Sequence, residues 1–266
     1  MPFYRLCLIW LLILSANVYC WGPTGHRIIA LHAQNHMAPN TLKWIEEHTG
    51  VRSLAWEANW ADEIKSDFKL KQNRSWHYAH YPDLGHSKQI ITAISYNKKV
   101  LLDSQSTKAQ KKEALRWLIH LVGDLHQPLH VTGKKEAGFN GCMVKFLYPK
   151  KVVGLHALWD SHIINQQNIS FTEWQQWLDE QPVKVEYLDS PEKWADESYI
   201  ISRQILPKQK TELYCKLSKN DRISLKDMPM INRKYIYENM PILNSQLYKA
   251  GIRLAHLFDM IADLSQ

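Results

Sequence analysis

Histidines and aspartates recur at one spacing in the central part of the chain. His120 and Asp124 are four residues apart, and His156 and Asp160 repeat this spacing. On a helix, residues four apart lie on one face, so each pair would present an imidazole beside a carboxylate. The chain has no C-x-x-C pair, and zinc accepts imidazole nitrogens and carboxylate oxygens where thiolates are absent. A catalytic zinc site also keeps one position open for water. The spacing therefore predicts metal chemistry.

Other potential ligands flank these pairs along the chain. They are Asp62, His77 and His130. Pro128 disfavours continuation of the first helix, so His130 can turn back towards the face that carries Asp124. A carboxylate inside an apolar run, such as Asp124, needs a partner to offset its desolvation. One pair alone is weak evidence, whereas the combination favours a metal centre. The tryptophans near these residues are expected to form core and site walls; they are Trp60, Trp76, Trp117 and Trp159.

Three other histidines receive a different interpretation. His32 and His256 lie on apolar helix faces, where a single histidine is usually a hydrogen-bonded packing residue. His126 lies off the face shared by His120 and Asp124, so it is expected to be structural or to support a ligand from behind.

The elements that must position these residues are mainly helical. Apolar side chains recur at three- and four-residue steps from 113 to 122, which predicts an amphipathic helix. Similar patterns occupy residues 28–33, 42–45, 171–178 and 252–261. Only residues 143–153 are typical of strands, as a short hairpin, and the polar segment 208–227 is predicted to be a surface excursion. The expected fold is one mainly α-helical domain with a short β-hairpin.

Composition excludes several classes of protein. With 45% hydrophobic and 22% charged residues, the chain is neither disordered nor fibrous. Its formal net charge of +7 favours an anionic partner, but only weakly when spread over 266 residues.

The amino-terminal segment has the pattern of a secretory signal peptide. Arg5 precedes an apolar run over residues 6–14, which is too short to span a bilayer. We expect residues 1–20 to be removed between Cys20 and Trp21, leaving the domain 21–266 without a membrane anchor; an uncleaved anchor is the alternative. The expected location is secreted or periplasmic.

Two of the four cysteines remain after such cleavage, Cys142 and Cys215. In an oxidising compartment they can pair and close a long loop. Sequence alone does not give their separation in space, so two buried free thiols are an equal alternative.

The ordered set of motifs resembles the zinc-dependent single-strand-specific nucleases and 3′-nucleotidases of the S1/P1 type. That family belongs to the phospholipase C/nuclease superfamily, which implies an all-α, phospholipase C/nuclease-like fold. The motifs run from the expected mature terminus to the last third of the chain. They are Trp21-Gly-Pro-Thr-Gly-His26, Trp60-Ala-Asp62, Trp76-His77-Tyr78, residues 120–130 and residues 156–160.

The resemblance implies three bound zinc ions per chain. The first would be held by Asp62, His77, His120 and Asp124. The second would share Asp124 and would be held by His26 and by the amino nitrogen and carbonyl oxygen of Trp21. The third would be held by His130, His156 and Asp160. Because an amide nitrogen does not coordinate zinc as a free amine does, signal cleavage and zinc binding would be coupled.

The resemblance also implies a reaction and its participants. A hydroxide between two zinc ions would attack phosphorus in line, cleaving single-stranded DNA and RNA to 5′-phosphate products, with removal of phosphate from 3′-nucleotides as a second activity. Asp62, Asp124 and Lys65 would be the catalytic residues. Lys65 stands where the family often has Arg, and would contact phosphate without the bidentate geometry of Arg. Tyr78 and His80 would join it in binding substrate.

Two alternatives stay open at this point. One is a phospholipase C-type phosphodiesterase with the same metals, although Asp160 stands where those relatives tend to carry Glu. The other is a non-catalytic secreted zinc-binding protein. No stable protein partner is implied, and a monomer is expected.

Overall fold

The computed structural model describes residues 21–64, 68–84, 89–215 and 223–265. The expected signal peptide, residues 1–20, and the expected catalytic Lys65 lie outside the described residues. Most of the described chain is α-helical, as expected. The α-helices are α1 (Pro23–His36), α2 (Pro39–Thr49), α3 (Leu54–Glu57), α4 (Trp60–Glu63), α5 (Ile90–Leu102), α6 (Lys108–Leu125), α7 (Leu155–Ala157), α8 (Ile163–Asn165), α9 (Phe171–Glu180), α10 (Pro191–Gln204), α11 (Thr211–Tyr214) and α12 (Arg233–Leu264). Along the described residues, no helix has both the length and the apolar character needed to span a bilayer.

Prolines set the bounds of the first two helices. Pro23 opens α1 and Pro39 opens α2, where a missing N–H is no loss and the fixed φ suits the helix. A residue before proline is disfavoured in the helical region, and Met37 and Ala38 are extended between the two helices. The apolar pattern of α1 then packs along α12, the longest helix.

The central helix is α6. Thr107 and Gln110 cap its amino terminus reciprocally, side chain to backbone in both directions. From Ala114 onwards nearly every side chain is buried, because α2, α5 and α12 pack around it. A helix that is buried all round belongs to the core, so His120 and Asp124 lie inside the domain rather than on its surface.

The strands are few and short. They are β1 (Ala79–Tyr81), β2 (Val131–Gly133), β3 (Met143–Phe146), β4 (Val152–Gly154) and β5 (Met230–Ile231). The expected hairpin is confirmed as the antiparallel pair β3–β4, with Val144 opposite Val153. The expectation that only this region forms strands is wrong, because β1 pairs in parallel with β2 and β5 pairs in parallel with β3. Strands of two or three residues are too short to show an alternating pattern.

Cys142 and Cys215 form a disulfide across 73 residues of sequence, which resolves the alternative left open above. Cys215 follows α11, whose Tyr214 is fully buried. The polar segment 208–227 is therefore not entirely a surface excursion, since the disulfide and Tyr214 anchor part of it to the core.

Candidate metal centre

Helix α6 places His120 and Asp124 on one face, as their spacing predicts. Nε2 of His120 lies 3.2 Å from Oδ2 of Asp124, and both side chains are fully buried. Gly123, between them in sequence, allows α1 to approach α6 closely, because a Cβ at this position would lie 2.9 Å from Nδ1 of His26. His26 consequently stacks on His120, with ring centroids 3.9 Å apart, and its Nε2 lies 3.4 Å from Oδ1 of Asp124. The absence of a side chain at Gly123 thus allows the predicted ligands His26, His120 and Asp124 to lie close together.

Two further predicted ligands approach His120 from the other side. Asp62, on the single-turn helix α4, brings Oδ1 to 3.5 Å from Nε2 of His120. His77 ends the 3₁₀-helix Phe68–His77, and its Nδ1 lies 3.1 Å from the same Nε2 and 2.8 Å from Oδ2 of Asp124. His120 therefore belongs to two groups of donors, one with His26 and one with Asp62.

The third group combines His130, His156 and Asp160. Nε2 of His156 lies 3.5 Å from Oδ2 of Asp160, and Nε2 of His130 lies 3.8 Å from its Oδ1. His130 occupies a 3₁₀ turn that begins at Pro128, and its Nδ1 lies 3.7 Å from Oδ1 of Asp124. The chain thus turns back after α6 as proline predicts, and this third group adjoins the others.

Backbone carbonyls orient the histidines of the cluster. Nδ1 of His120, of His130 and of His156 each faces a carbonyl oxygen. These oxygens belong respectively to Ala58, His77 and Gly138, at 3.0, 2.7 and 2.6 Å. A carbonyl only accepts, so Nδ1–H donates and the neutral ring keeps its lone pair on Nε2. Metal-binding histidines are commonly held in this way.

Two positioning residues escaped the sequence analysis. Gly138 adopts φ +64°, and an added Cβ would lie 2.9 Å from the carbonyl oxygen of Leu129 and 3.1 Å from Cε1 of His156. Gln127 donates to Oδ1 of Asp160 through its side-chain amide. The side-chain oxygen of Gln127 accepts from the N–H of Leu129 at 2.6 Å. Gln127 is fully buried in the structure. The one indication of this in the sequence is a glutamine placed among residues that are mostly buried.

The electrostatics of the cluster favour a bound cation. Burial opposes ionisation of Asp124, but the imidazoles of His120 and His130 hold the pKa of its carboxyl well below the usual range. Burial would likewise lower the pKa of His120, yet the carboxylates of Asp124 and Asp62 raise it to about 10. Without a metal, a proton therefore supplies the positive charge that these buried carboxylates require.

Unsatisfied atoms show that the site suits a metal ion. Among the described residues, neither ring nitrogen of His26 makes a hydrogen bond, nor does Oδ1 of Asp124, although all three atoms are buried. Buried polar atoms usually have a partner. In each of the three groups one nitrogen or oxygen donor per residue lies within 4.8 Å of the others, a donor set that zinc accepts.

The start of the described chain lies beside the third group. Trp21 is fully buried, and the N–H of Gly22 donates to the carbonyl oxygen of Asp160 at 2.6 Å. The same segment leads within one turn to His26. Coordination by the amine and carbonyl of Trp21 stays a prediction.

The expected substrate-binding residues Tyr78 and His80 follow the predicted ligand His77 along the chain. Tyr78 follows His77 directly and is 39% exposed, so its ring is accessible from solvent. His80, on β1, lies next to it with ring centroids 5.2 Å apart. Its backbone N–H donates to the side-chain oxygen of Gln89 at 2.9 Å.

The supporting residues behave as expected. Trp117 is buried and packs edge-on against His77, with centroids 5.7 Å apart, so it forms a wall of the site. His126 is outside the three groups: its Nδ1 donates to the carbonyl of Val122 at 2.7 Å, and its Nε2 accepts from Arg253 at 2.9 Å. This histidine holds α6 to α12.

Comparison with known proteins identifies the family to which the chain belongs. The family described as S1/P1 nuclease matches residues 21–263. Endonuclease 2 of Arabidopsis thaliana is 25% identical, covering 95% of this chain and 94% of that protein. Nuclease S1 of Aspergillus oryzae is also 25% identical, over 94% of this chain and 95% of its own length. Nuclease P1 of Penicillium citrinum is 31% identical over 53% of this chain and 63% of its own. The chain therefore belongs to the S1/P1 nuclease family, a family of hydrolases that act on phosphodiester bonds.

Proposed function

We propose that this protein is a zinc-dependent endonuclease that cleaves single-stranded DNA and RNA to 5′-phosphate products, with 3′-nucleotidase activity in addition. The observation that carries the proposal is the convergence of His26, His77 and His120 on the buried carboxylate of Asp124. A buried, ionised carboxylate requires a compensating positive charge, which a metal ion bound by the surrounding imidazoles would supply.

Three zinc ions per chain account for the donors. Asp62, His77, His120 and Asp124 would hold one. Asp124, His26 and the amine and carbonyl of Trp21 would hold a second. His130, His156 and Asp160 would hold the third. When bound, the ions would lower the pKa of water and neutralise the charge that develops on phosphorus and its oxygens. Asp124 would connect two of the ions, since its two oxygens face different imidazoles.

The residues around the cluster would select and position the substrate. The exposed ring of Tyr78 offers a face on which an unstacked base can rest, and His80 lies beside it. Lys65 would add a cation for a phosphate oxygen. The backbone of a flexible single strand can reach a buried cluster while an unstacked base contacts Tyr78, whereas a rigid duplex with stacked bases cannot do this. This supports a preference for single strands.

Maturation would complete the site. Removal of residues 1–20 would turn the amide nitrogen of Trp21 into an amine. The bond from the N–H of Gly22 to the carbonyl oxygen of Asp160 supports a role for this segment at the cluster. Secretion or export to a periplasm is supported by the Cys142–Cys215 disulfide, which is typical of oxidising compartments. The catalytic domain would be residues 21–266, acting as a monomer without a stable protein partner.

The test is turnover of defined substrates by the mature protein. Single-stranded DNA, RNA, duplex DNA, a 3′-nucleotide and phosphatidylcholine vesicles are each incubated with the zinc-loaded protein, with and without a chelator. We expect faster cleavage of single strands than of duplex, 5′-phosphate ends, and loss of activity with the chelator. Turnover of vesicles without nucleic acid would support a phospholipase instead. A lower melting temperature on chelation with no turnover in any sample would indicate a zinc-binding protein without catalysis.

Metal content and the terminal residue provide a second measurement. We expect three zinc ions per chain and Trp21 at the amino terminus of the active form. Full activity with the leader still attached, or with fewer than two zinc ions, would refute the proposed site.

A further inference from the structure

A fourth group of potential metal ligands lies away from the cluster around Asp124. It comprises His32 and His36, one turn apart on α1, and Asp179 near the end of α9. Nδ1 of His32 lies 3.1 Å from Oδ1 of Asp179, and Nε2 of His36 lies 3.6 Å from the same oxygen. At about 1.5 Å per residue along a helix, the two histidines lie roughly 9 and 15 Å beyond His26. This set, the His32 group, is therefore a separate place in the fold.

The ring of His32 is buried, and one of its two nitrogens lacks a hydrogen-bonding partner among the described residues. Its side chain is fully buried, its Nδ1 lies at hydrogen-bonding distance from Oδ1 of Asp179, and its Nε2 makes no hydrogen bond with any described residue. His32 is thus a buried packing residue, as expected, with Nδ1 beside the carboxylate of Asp179. Gly251 of α12 fixes the ring in place, because an added Cβ there would lie 2.5 Å from Cδ2 of His32. Buried nitrogens without a hydrogen-bonding partner are uncommon and call for an explanation.

The other two side chains are oriented from behind. Nδ1 of His36 donates to the carbonyl oxygen of His32 at 2.8 Å, which leaves the lone pair of the neutral ring on the Nε2 that faces Asp179. Oδ2 of Asp179 accepts from Gln175 at 2.7 Å, and Gln175 accepts from Asn35 at 3.0 Å. Oδ1 of Asp179 is thereby turned towards both histidines. Such outer hydrogen bonds are typical of metal ligands.

Charge and access also fit a cation. Burial, with the neighbouring His36 as a second cause, lowers the pKa of His32 to about 4, so the ring is neutral and carries a lone pair at physiological pH. Asp179 adds a negative charge. The side chains of His36 and Asp179 are 34% and 41% exposed, so solvent can complete the coordination. Two imidazoles and a carboxylate form a donor set accepted by zinc and related transition metals.

We propose that His32, His36 and Asp179 bind a further divalent transition-metal ion, of the zinc type, that links α1 to α9. Helix α1 also carries His26, so this ion would hold the helix that supplies a ligand to the candidate metal centre. Its role is structural rather than catalytic, because the group lies apart from Asp124.

The test compares zinc content between matched variants of the full mature chain. His36→Gln and Asp179→Asn remove one ligand each from partly exposed positions, which limits the risk of misfolding. His48→Gln is the control: His48 also bonds to a carbonyl four residues earlier, that of Trp44 at 2.9 Å, but belongs to none of the four groups. Bound zinc is measured by elemental analysis at one fixed free zinc concentration, together with the rise in melting temperature on adding zinc.

We expect both ligand variants to bind about one zinc ion fewer than the unmodified chain and to show a smaller thermal shift, while His48→Gln matches the unmodified chain. Equal zinc content in all four proteins would overturn the site. Loss in His36→Gln but not in Asp179→Asn would overturn the three-ligand arrangement. An equal loss in His48→Gln would show adventitious binding to surface histidines. Because each variant is compared with the unmodified chain, the result does not depend on how many ions the cluster around Asp124 holds.

Discussion

The Cys142–Cys215 disulfide closes a loop of 73 residues, and its contribution to stability can be worked out from that length. Cross-linking such a loop removes about 15 cal/mol/K of chain entropy from the unfolded state, or about 4.4 kcal/mol at 25 °C. For a domain of roughly 250 residues, each kcal/mol changes the melting temperature by about 2 °C. We therefore expect the double variant Cys142→Ala/Cys215→Ala to melt about 9 °C lower than the unmodified protein.

The measurement is thermal unfolding followed by circular dichroism at one fixed free zinc concentration, because bound metal raises the melting temperature by mass action. Cys215→Ala alone is the control. It removes the cross-link but keeps the buried side chain of Cys142, so it isolates loop closure from any cavity.

The single and double variants should lose nearly the same stability. A double variant within about 2 °C of the unmodified protein would refute the reasoning from loop entropy. A large loss in the double variant with none in Cys215→Ala would assign the effect to packing around Cys142. Because loop entropy acts on the unfolded chain, the zinc content of the folded variants should match that of the unmodified protein.

Substitutions at three positions, two in the candidate metal centre and one at Tyr78, give further predictions. Asp124→Asn should lower kcat/KM on single-stranded DNA by on the order of 10³-fold and reduce zinc content, because it removes a buried charge that two of the proposed zinc ions would share. Full activity with full metal occupancy would contradict a bridging role. Gly123→Ala should improve helix propensity by about 1 kcal/mol, yet the added Cβ would lie 2.9 Å from Nδ1 of His26. We therefore expect weaker zinc binding in a metal titration. Unchanged zinc affinity would argue against the close approach of α1 to α6. Tyr78→Ala should raise KM for single strands about 10-fold, since base stacking contributes ~1–3 kcal/mol, while Tyr78→Phe should keep the original KM; equal effects of the two variants would exclude stacking.

The local part of the site was readable from sequence. His120 and Asp124 are one helical turn apart, so their contact requires only that α6 form, and its apolar periodicity and capping box both favour a helix. The return of His130 followed from Pro128 in the same way. In both cases the information lies within ten residues of sequence.

The long-range part was not readable from periodicity. That α1 crosses α6 at Gly123 depends on a close approach between helices, which no pattern within α6 reveals. His26 therefore entered the prediction through the family resemblance alone. The contacts of His32 could not be predicted for the same reason, since its environment is set by Asp179 and Gly251, both far away in sequence.

The parallel pair β1–β2 carries a consequence for how this chain can vary in length. β1 begins two residues after His77 and β2 immediately after His130, with Ala79 opposite Val131. The carbonyl of His77 also accepts from His130. These few backbone bonds fix the distance between His77 and His130, which belong to different donor groups. An insertion inside either strand would therefore change the distance between these groups. Insertions and deletions among natural relatives should instead lie outside β1 and β2, where added residues leave that distance unchanged.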